Sequence, residues 1–217
     1  MLFDMDGTLV DSEKLWDIGL RELAAHYGGT LSEAGRRAMI GSDSPTSMRI
    51  LHEDLAQPWR DPAVSAAWLD RRISELFVSD LRWRPGALGL LRAVRAAGIP
   101  TALVTSTNRV LVEVALETLG RDSFDVVVCG DEVTATKPDP APYLTAARLL
   151  DVPINRCVAI EDSPTGVASA LASGAAVLGV PSEVPIDPCE GLHLLESLTG
   201  VDLELLASLL APLNLPR

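Results

Sequence analysis

Positive charge is scarce in this chain: 18 Lys and Arg stand against 30 Asp and Glu, a formal net charge of −12 over 217 residues. A general nucleic-acid binder needs a basic face, so that class is excluded. A small phosphorylated ligand is not, because a local site can be positive on an acidic protein. Cysteine is scarce too. Cys129, Cys157 and Cys189 are far apart, odd in number and without a C-x-x-C pair. They give no metal signature and fit reduced thiols in a cytoplasmic protein. Cys129 and Cys157 sit in apolar runs and are expected to pack as small hydrophobes. No apolar run approaches the roughly 18 residues of a membrane span. No signal peptide precedes "LFDMDG", so neither secretion nor a membrane partner is expected. The first strand starts almost at Met1 and is expected to be very short or trimmed.

Aromatic residues make up 4% of the chain, yet all four tryptophans (Trp16, Trp59, Trp68, Trp83) fall in one stretch or at its exit. That stretch, from about Ser12 to Ser79, reads as helix throughout. "SEKLWDIGLRELAAHYG", "TLSEAGRRAMIG", "SPTSMRILHEDLA" and "DPAVSAAWLDRRISELFVS" each open on Ser, Thr or Asp and carry apolar residues at helical spacing. A tryptophan-rich helical segment is expected to form its own small core; an aromatic wall over a substrate is the alternative. From Arg84 onward strands and helices alternate: "TALV", "FDVVVCG", "RCVAI" and "AAVLGV" are short apolar runs separated by helices of about a dozen residues. That order implies βαβ units and a parallel sheet. The tail "GLHLLESLTGVDLELLASLL" is expected to add an edge strand and a last helix. The expected fold is therefore α/β, a Rossmann-like parallel sheet with helices on both faces, over 1–11 and 82–217, with an all-helical insert over 12–81.

At the end of the first strand, "LFDMDGTLVDSE" places Asp4 and Asp6 one residue apart, on the same face if the strand continues. Two close carboxylates repel unless a cation sits between them. The pair is either a solvated turn or a site for something positive. Ligands of open parallel sheets bind beyond the carboxyl ends of the strands. Asp4, Asp6, Gly7 and Thr8 follow the first strand; Thr105, Ser106, Thr107 and Asn108 follow "TALV". Lys137 follows "VVVCGDE" after a short loop; Glu161, Asp162 and Ser163 follow "CVAI". Each group alone has a bland reading as turn, cap or solvated charge. Together, at four consecutive strand ends in chain order, the bland readings would all have to hold at once.

Mg²⁺ takes oxygen ligands in octahedral array. Asp4, Asp162 and the Asp6 main-chain carbonyl can supply three. A carboxylate can attack phosphorus once its target's charge is neutralised, here by the cation and the Lys137 ammonium. Thr105 and neighbouring main-chain N–H groups can hold phosphoryl oxygens, and Asp6 can protonate the leaving alcohol and then deprotonate water.

"DMDGTLVD", the strand ending in Thr105-Ser106, "KPDP" and "IEDSPTGVASALASG" resemble the four motifs of the haloacid dehalogenase superfamily of phosphohydrolases. The branch they look most like is the β-phosphoglucomutase-like and sugar-phosphatase group. The resemblance covers nearly the whole chain. It implies Asp4 as nucleophile, Asp6 as general acid and base, and Thr105, Ser106 and Lys137 as phosphate-binding residues. It further implies Asp4, Asp6 and Asp162 as Mg²⁺ ligands, with Glu161 supporting the metal shell, and the helical insert as a cap. An aspartate at position 6 speaks against dehalogenation. The family's mutases carry a basic residue just after the cap glycine; here Gly41 is followed by Ser42, Asp43, Ser44 and Pro45, with no base before Arg49. Hydrolysis of a small phosphorylated metabolite, a sugar or polyol phosphate, is therefore expected. A phosphosugar mutase and a phospho-binding regulator without turnover are the alternatives. Ser12, Gly41, Ser42 and Arg49 are the candidate cap-side contacts, and a monomer is expected. His26, His52 and His193 are expected at the surface or as caps.

Overall fold

A computed structural model describes residues 1–210; residues 211–217, which the sequence reading assigns to the core, lie outside the described residues. Six strands form one parallel sheet: β1 (Leu2–Phe3), β2 (Ala102–Val104), β3 (Val126–Val128), β4 (Val158–Glu161), β5 (Ala176–Gly179) and β6 (Leu192–Leu194). Their order is β3-β2-β1-β4-β5-β6, so the chain runs outward on one side of β1 and then restarts on the other. The crevice at such a reversal is where open α/β sheets bind ligands. Here it lies between β1, which leads into Asp4, and β4, which leads into Asp162. Leu2 pairs with Ala102 and Ala159, and Phe3 with Leu103 and Ile160.

Strand side chains alternate between faces, and the two faces bury two different clusters. Leu2, Ala102, Val104 and Ala159 pack with Tyr143, Ala146 and Ala147 of α7 (Ala141–Leu149) and Val167 and Ala170 of α8 (Pro164–Ser173). Phe3, Leu103, Val158 and Ile160 pack with α5 (Ala87–Ala96), α6 (Arg109–Leu119) and α9 (Leu203–Leu209). Helices thus cover both faces, as the alternating sequence pattern implies. The tail forms β6 at the sheet edge and then α9. Cys129 and Cys157 are buried, as expected of small hydrophobes. No helix among the described residues is long and apolar enough to cross a membrane.

Between β1 and α5 stand four helices: α1 (Glu13–His26), α2 (Glu33–Met39), α3 (Ser44–Asp54) and α4 (Pro62–Asp80). Ser32, Asp43 and Asp61 cap α2, α3 and α4 through their side chains, and Pro62 opens α4 where its missing N–H costs nothing. The expectation of a separate small core is corrected. Leu20, Leu23, Met48, Leu51, Leu69 and Ile73 of these helices belong to the same continuous cluster as Phe3 and Leu103. Nor do the tryptophans share one role: Trp59 is 76% exposed, whereas Trp16 packs edge-on to Phe77 at 6.2 Å. His52 is also corrected. It is buried, with Nε2 2.8 Å from Ser65 Oγ, which in turn lies 2.7 Å from the Tyr27 hydroxyl. His26 and His193 are exposed, as expected.

Candidate active site

Asp4 leaves the sheet still tethered to it, its N–H donating to Ile160 O at 3.1 Å. Its carboxylate is buried beside Lys137, whose ammonium donates to Asp4 Oδ1 at 2.7 Å, Glu161 Oε1 at 2.6 Å and Val104 O at 2.9 Å. Those three bonds use every proton of the ammonium. Burial alone would lower the Lys137 pKa, but the Asp4 and Glu161 carboxylates outweigh it and raise the group above its ordinary value. Lys14 and Lys137 are the only lysines in the chain, so this second one is a specific placement. Glu161 is fully committed: Oε1 also accepts from the Tyr143 hydroxyl at 2.5 Å, and Oε2 accepts from Asp162 N–H and the Ser163 hydroxyl. Gly166 makes this fit possible, since a Cβ there would stand 2.0 Å from Glu161 Oε2.

Asp6 is gripped from two sides. Oδ1 accepts from the Ser12 hydroxyl at 2.7 Å and the Trp16 indole N–H at 3.0 Å. Oδ2 accepts from the Thr107 hydroxyl at 2.7 Å and, more loosely, from that of Thr105 at 3.3 Å. The first two donors come from the start of the helical insert, the second two from the loop after β2. Ser12 occupies the N-cap of α1 yet makes no capping bond with its side chain, because its hydroxyl serves Asp6 instead. Gly7, at φ +76°, turns the chain away at once; a Cβ here would lie 2.0 Å from Asp162 Oδ2. The left-handed conformation and the crowding both require glycine.

Asp4, Glu161 and Asp162 each offer a carboxylate oxygen, and these oxygens lie within 4.8 Å of one another. Burial, then Glu161, lifts the Asp4 pKa to about 7 against the pull of Lys137. Burial, then Asp4 and Glu161, raises Asp162 well above the usual carboxylate range. Asp4 Oδ2 is buried with no hydrogen-bond partner. A buried carboxylate oxygen without a donor is expensive, and a hard divalent cation answers that need with the oxygen chemistry it prefers. These residues therefore fit Mg²⁺. Because Glu161 has both oxygens engaged, its place is behind Asp4 and Asp162 rather than beside them.

A pH dependence follows. A cation held by Asp4 would need its carboxylate deprotonated, so below pH about 7 binding would displace a proton. Mg²⁺ affinity is expected to fall at least tenfold per pH unit below that point, since the Asp162 carboxyl is raised as well. Melting curves at pH 8 and pH 6 check this: saturating Mg²⁺ should raise the midpoint at both, with the higher half-saturating concentration at pH 6. Equal half-saturation at the two values would refute the coupling.

One cavity of about 230 Å³ opens over this group. Its floor holds Asp4, Asp6, Thr105, Ser106, Lys137 and Asp162, all six drawn from the four strand ends that the sequence singles out. Gly41 and Ser42 line it from the insert side. Two sequence expectations are corrected here. Ser12 does not line the cavity; it is fully buried behind Asp6. Arg49 is turned outward, 61% exposed at its side chain and paired with Glu53 one helical turn on. Asp43 is spent as the α3 cap and as acceptor from the Thr136 hydroxyl at 2.8 Å, which ties the insert to the loop carrying Lys137.

Tyr143 and Arg36 have no sequence signal of their own, and Thr107 and Trp16 are marked only as members of the strand-end hydroxyl run and of the tryptophan-rich stretch. Tyr143 is one apolar-face residue among several in α7. Trp16 and Arg36 reach the cavity from α1 and α2 only because the helices fold over it.

The chain matches the haloacid dehalogenase-like hydrolase family over residues 1–174. It belongs to that family. Hexitol phosphatase A of Escherichia coli is 34% identical over 208 residues, covering 91% of this chain and 92% of the relative. A phosphorylated carbohydrates phosphatase of Thermotoga maritima is 35% identical over 182 residues, covering 80% of this chain and 81% of its own. Among solved structures, CbbY from Rhodobacter sphaeroides in complex with phosphate superposes with a TM-score of 0.78 at 28% identity, covering 92% of this chain and 94% of that one. The family, the fold and the assignment as a phosphatase of the haloacid dehalogenase type therefore agree with the motif reading.

Proposed function

We propose that the chain hydrolyses a phosphate monoester of a small sugar or polyol, with Asp4 as nucleophile and Mg²⁺ as the cofactor. One observation supports this most. Among the described residues, the buried side-chain polar atoms without a partner are Asp4 Oδ2, Ser106 Oγ and Arg36 Nε, and all three residues line the same cavity. Native interiors leave few such atoms, and their gathering in one place calls for a ligand that satisfies them. A phosphate monoester offers a phosphorus to Asp4 and an oxygen to Ser106, beside the positive charge of Lys137.

In the proposed reaction, an Asp4 carboxylate oxygen forms a bond to phosphorus as the ester P–O bond breaks. The departing alkoxide takes a proton from Asp6. The Asp6 carboxylate then removes a proton from water, the hydroxide attacks phosphorus, and the Asp4–phosphorus bond breaks to release phosphate. Threonine hydroxyls can turn to accept, whereas an indole N–H only donates. Oδ2 of Asp6, on the Thr105 and Thr107 side, is accordingly the oxygen suited to carry the proton. Asp4, Asp162 and the Asp6 main-chain carbonyl would hold Mg²⁺, which supplies positive charge to the phosphoryl oxygens as negative charge builds there. Residues 12–81 would act as a cap that excludes bulk water.

Hydrolysis is preferred over mutase chemistry because the loop at Gly41–Pro45 carries no base and Arg49 points away from the cavity. The E. coli and Thermotoga relatives, named for hexitol and carbohydrate phosphates, support the substrate class. A phosphate-release screen over polyol, hexose and nucleotide monophosphates tests the reading. Release is expected from polyol and hexose phosphates and should stop with a chelator. No release from any compound with Mg²⁺ present would overturn it.

A further inference from the structure

The insert wall of the cavity is mostly apolar, lined by Trp16, Leu20, Met39, Met48 and Leu69. Within it sits one ion pair. Arg36 Nη2 donates to Glu13 Oε2 at 2.7 Å and to Glu13 O at 3.0 Å. Both side chains are more than nine-tenths buried, and both line the cavity. Arg36 Nε lies 3.3 Å from Asp17 Oδ1 but is not aligned with it, and has no hydrogen-bond acceptor.

A buried ion pair is a poor way to fill an apolar wall. Well-packed hydrophobic residues of the same volume are commonly as stable or more so. The pair also leaves a donor unsatisfied, which costs further. Stability therefore does not account for it, whereas recognition does. Nor can the guanidinium serve a second phosphate. Its single charge is answered by Glu13 and approached by Asp17, and Asp43 and Asp131 line the same cavity. Across the floor Lys137 is matched by two carboxylates. What remains, among the described residues, is guanidinium N–H without an acceptor, on Nε and on Nη1, beside the carboxylate of Glu13, a combination that reads a neutral hydroxyl by giving it a hydrogen bond and taking another.

We infer that Arg36 and Glu13 form a tail-reading subsite, which selects a phosphate monoester with an uncharged hydroxylated tail and disfavours one with a second phosphate. The inference rests on the proposed function for the position of the phosphate, but its test needs no turnover. The probes are phosphonates, whose C–P bond this chemistry does not cleave: methylphosphonate, a polyol phosphonate, and a polyol with a phosphonate at each end. Binding is measured by calorimetry with Mg²⁺ present, for the parent, for Arg36→Lys and for the double variant Glu13→Leu/Arg36→Met. The double variant replaces the pair by apolar volume and so guards against unfolding; Arg36→Lys keeps the charge but loses the planar fork.

The parent is expected to bind the polyol phosphonate at least tenfold more tightly than methylphosphonate and more tightly than the doubly charged probe. In both variants the preference for the polyol tail should fall about tenfold, the worth of one good hydrogen bond. A parent that prefers the doubly charged probe, that gains nothing from the tail, or whose variants keep the preference would overturn the inference. If the parent shows the expected binding yet releases no phosphate in the substrate screen, the proposed function fails and the subsite stands.

Discussion

Asp4→Asn is expected to lower phosphate release by about four to six orders of magnitude, as removal of a nucleophile does in other covalent enzymes. The loss should be in turnover and not in folding. The amide oxygen of Asn can still accept from Lys137, which keeps its bonds to Glu161 Oε1 and Val104 O. A change in stability is nevertheless expected, and its sign depends on pH. In the parent the Asp4 pKa is raised from 3.8 to about 7 by burial and by Glu161. A carboxyl raised on folding favours the folded state below its unfolded pKa, and that advantage is lost as pH rises through the folded value. Asn has no such dependence. In metal-free buffer the variant should therefore gain on the parent between pH 5 and pH 8. With Mg²⁺ the order reverses, because only the parent keeps the Asp4 ligand. Hydrolysis of p-nitrophenyl phosphate and paired melting curves check both parts. A variant as active as the parent removes the nucleophile assignment.

The contrast between Asp4 and Arg36 shows which parts of the site can be read from sequence. Asp4, Asp6, Thr105, Ser106 and Asp162 follow a strand within a few residues, Glu161 ends one, and Lys137 stands on the loop that leaves β3. A parallel sheet aligns strand ends, so local position along the chain becomes position in space with no knowledge of packing. The β5 and β6 edge and the helix boundaries are legible for the same local reason, being marked by prolines, glycines and caps. Arg36 and Arg49 cannot be told apart this way. Both are arginines on short helices of the insert; one turns inward to Glu13 and the other outward to Glu53. That choice depends on how α2 and α3 rotate against α1 and α4, which is set by tertiary packing. Ser12 departs from its expected place for a related reason. Its place beside the first motif is visible, but its hydroxyl turns back to Asp6 rather than forward to a ligand. His52 is buried against expectation because a polar residue in an amphipathic helix reads as outward-facing unless its buried partner is known. The partner, Ser65, lies on another helix.

Lys137 carries the largest expected effect on stability. Replacing it with Met would leave Asp4 Oδ1 and Val104 O without their donor and Glu161 Oε1 with Tyr143 alone, in a pocket where all of these groups are buried. Removing one partner of a buried pair costs about 3–5 kcal/mol, because the other charge stays buried and unanswered. For a chain of this length that corresponds to a fall of about 10 °C in the melting midpoint. Lys137 itself is held above its ordinary pKa, so its contribution is present throughout the neutral range and is lost only at strongly alkaline pH. The pH dependence of the variant must then come from the stranded acids. As pH falls toward 5, Asp4 can take up a proton and relieve its repulsion with Glu161, so the deficit relative to the parent should shrink. As pH rises to 8 it should grow. Mg²⁺ should recover part of the deficit at pH 8, since it would bring positive charge to the same carboxylates, but not phosphate release, which in the proposed reaction also draws on the ammonium. Lys137→Arg should not rescue either property, because a planar guanidinium cannot aim three protons at acceptors 2.6, 2.7 and 2.9 Å from one nitrogen. A Met variant that melts with the parent at pH 8 would mean that the three acceptors do not depend on this ammonium. The charge balance argued for the site would then be wrong at its centre.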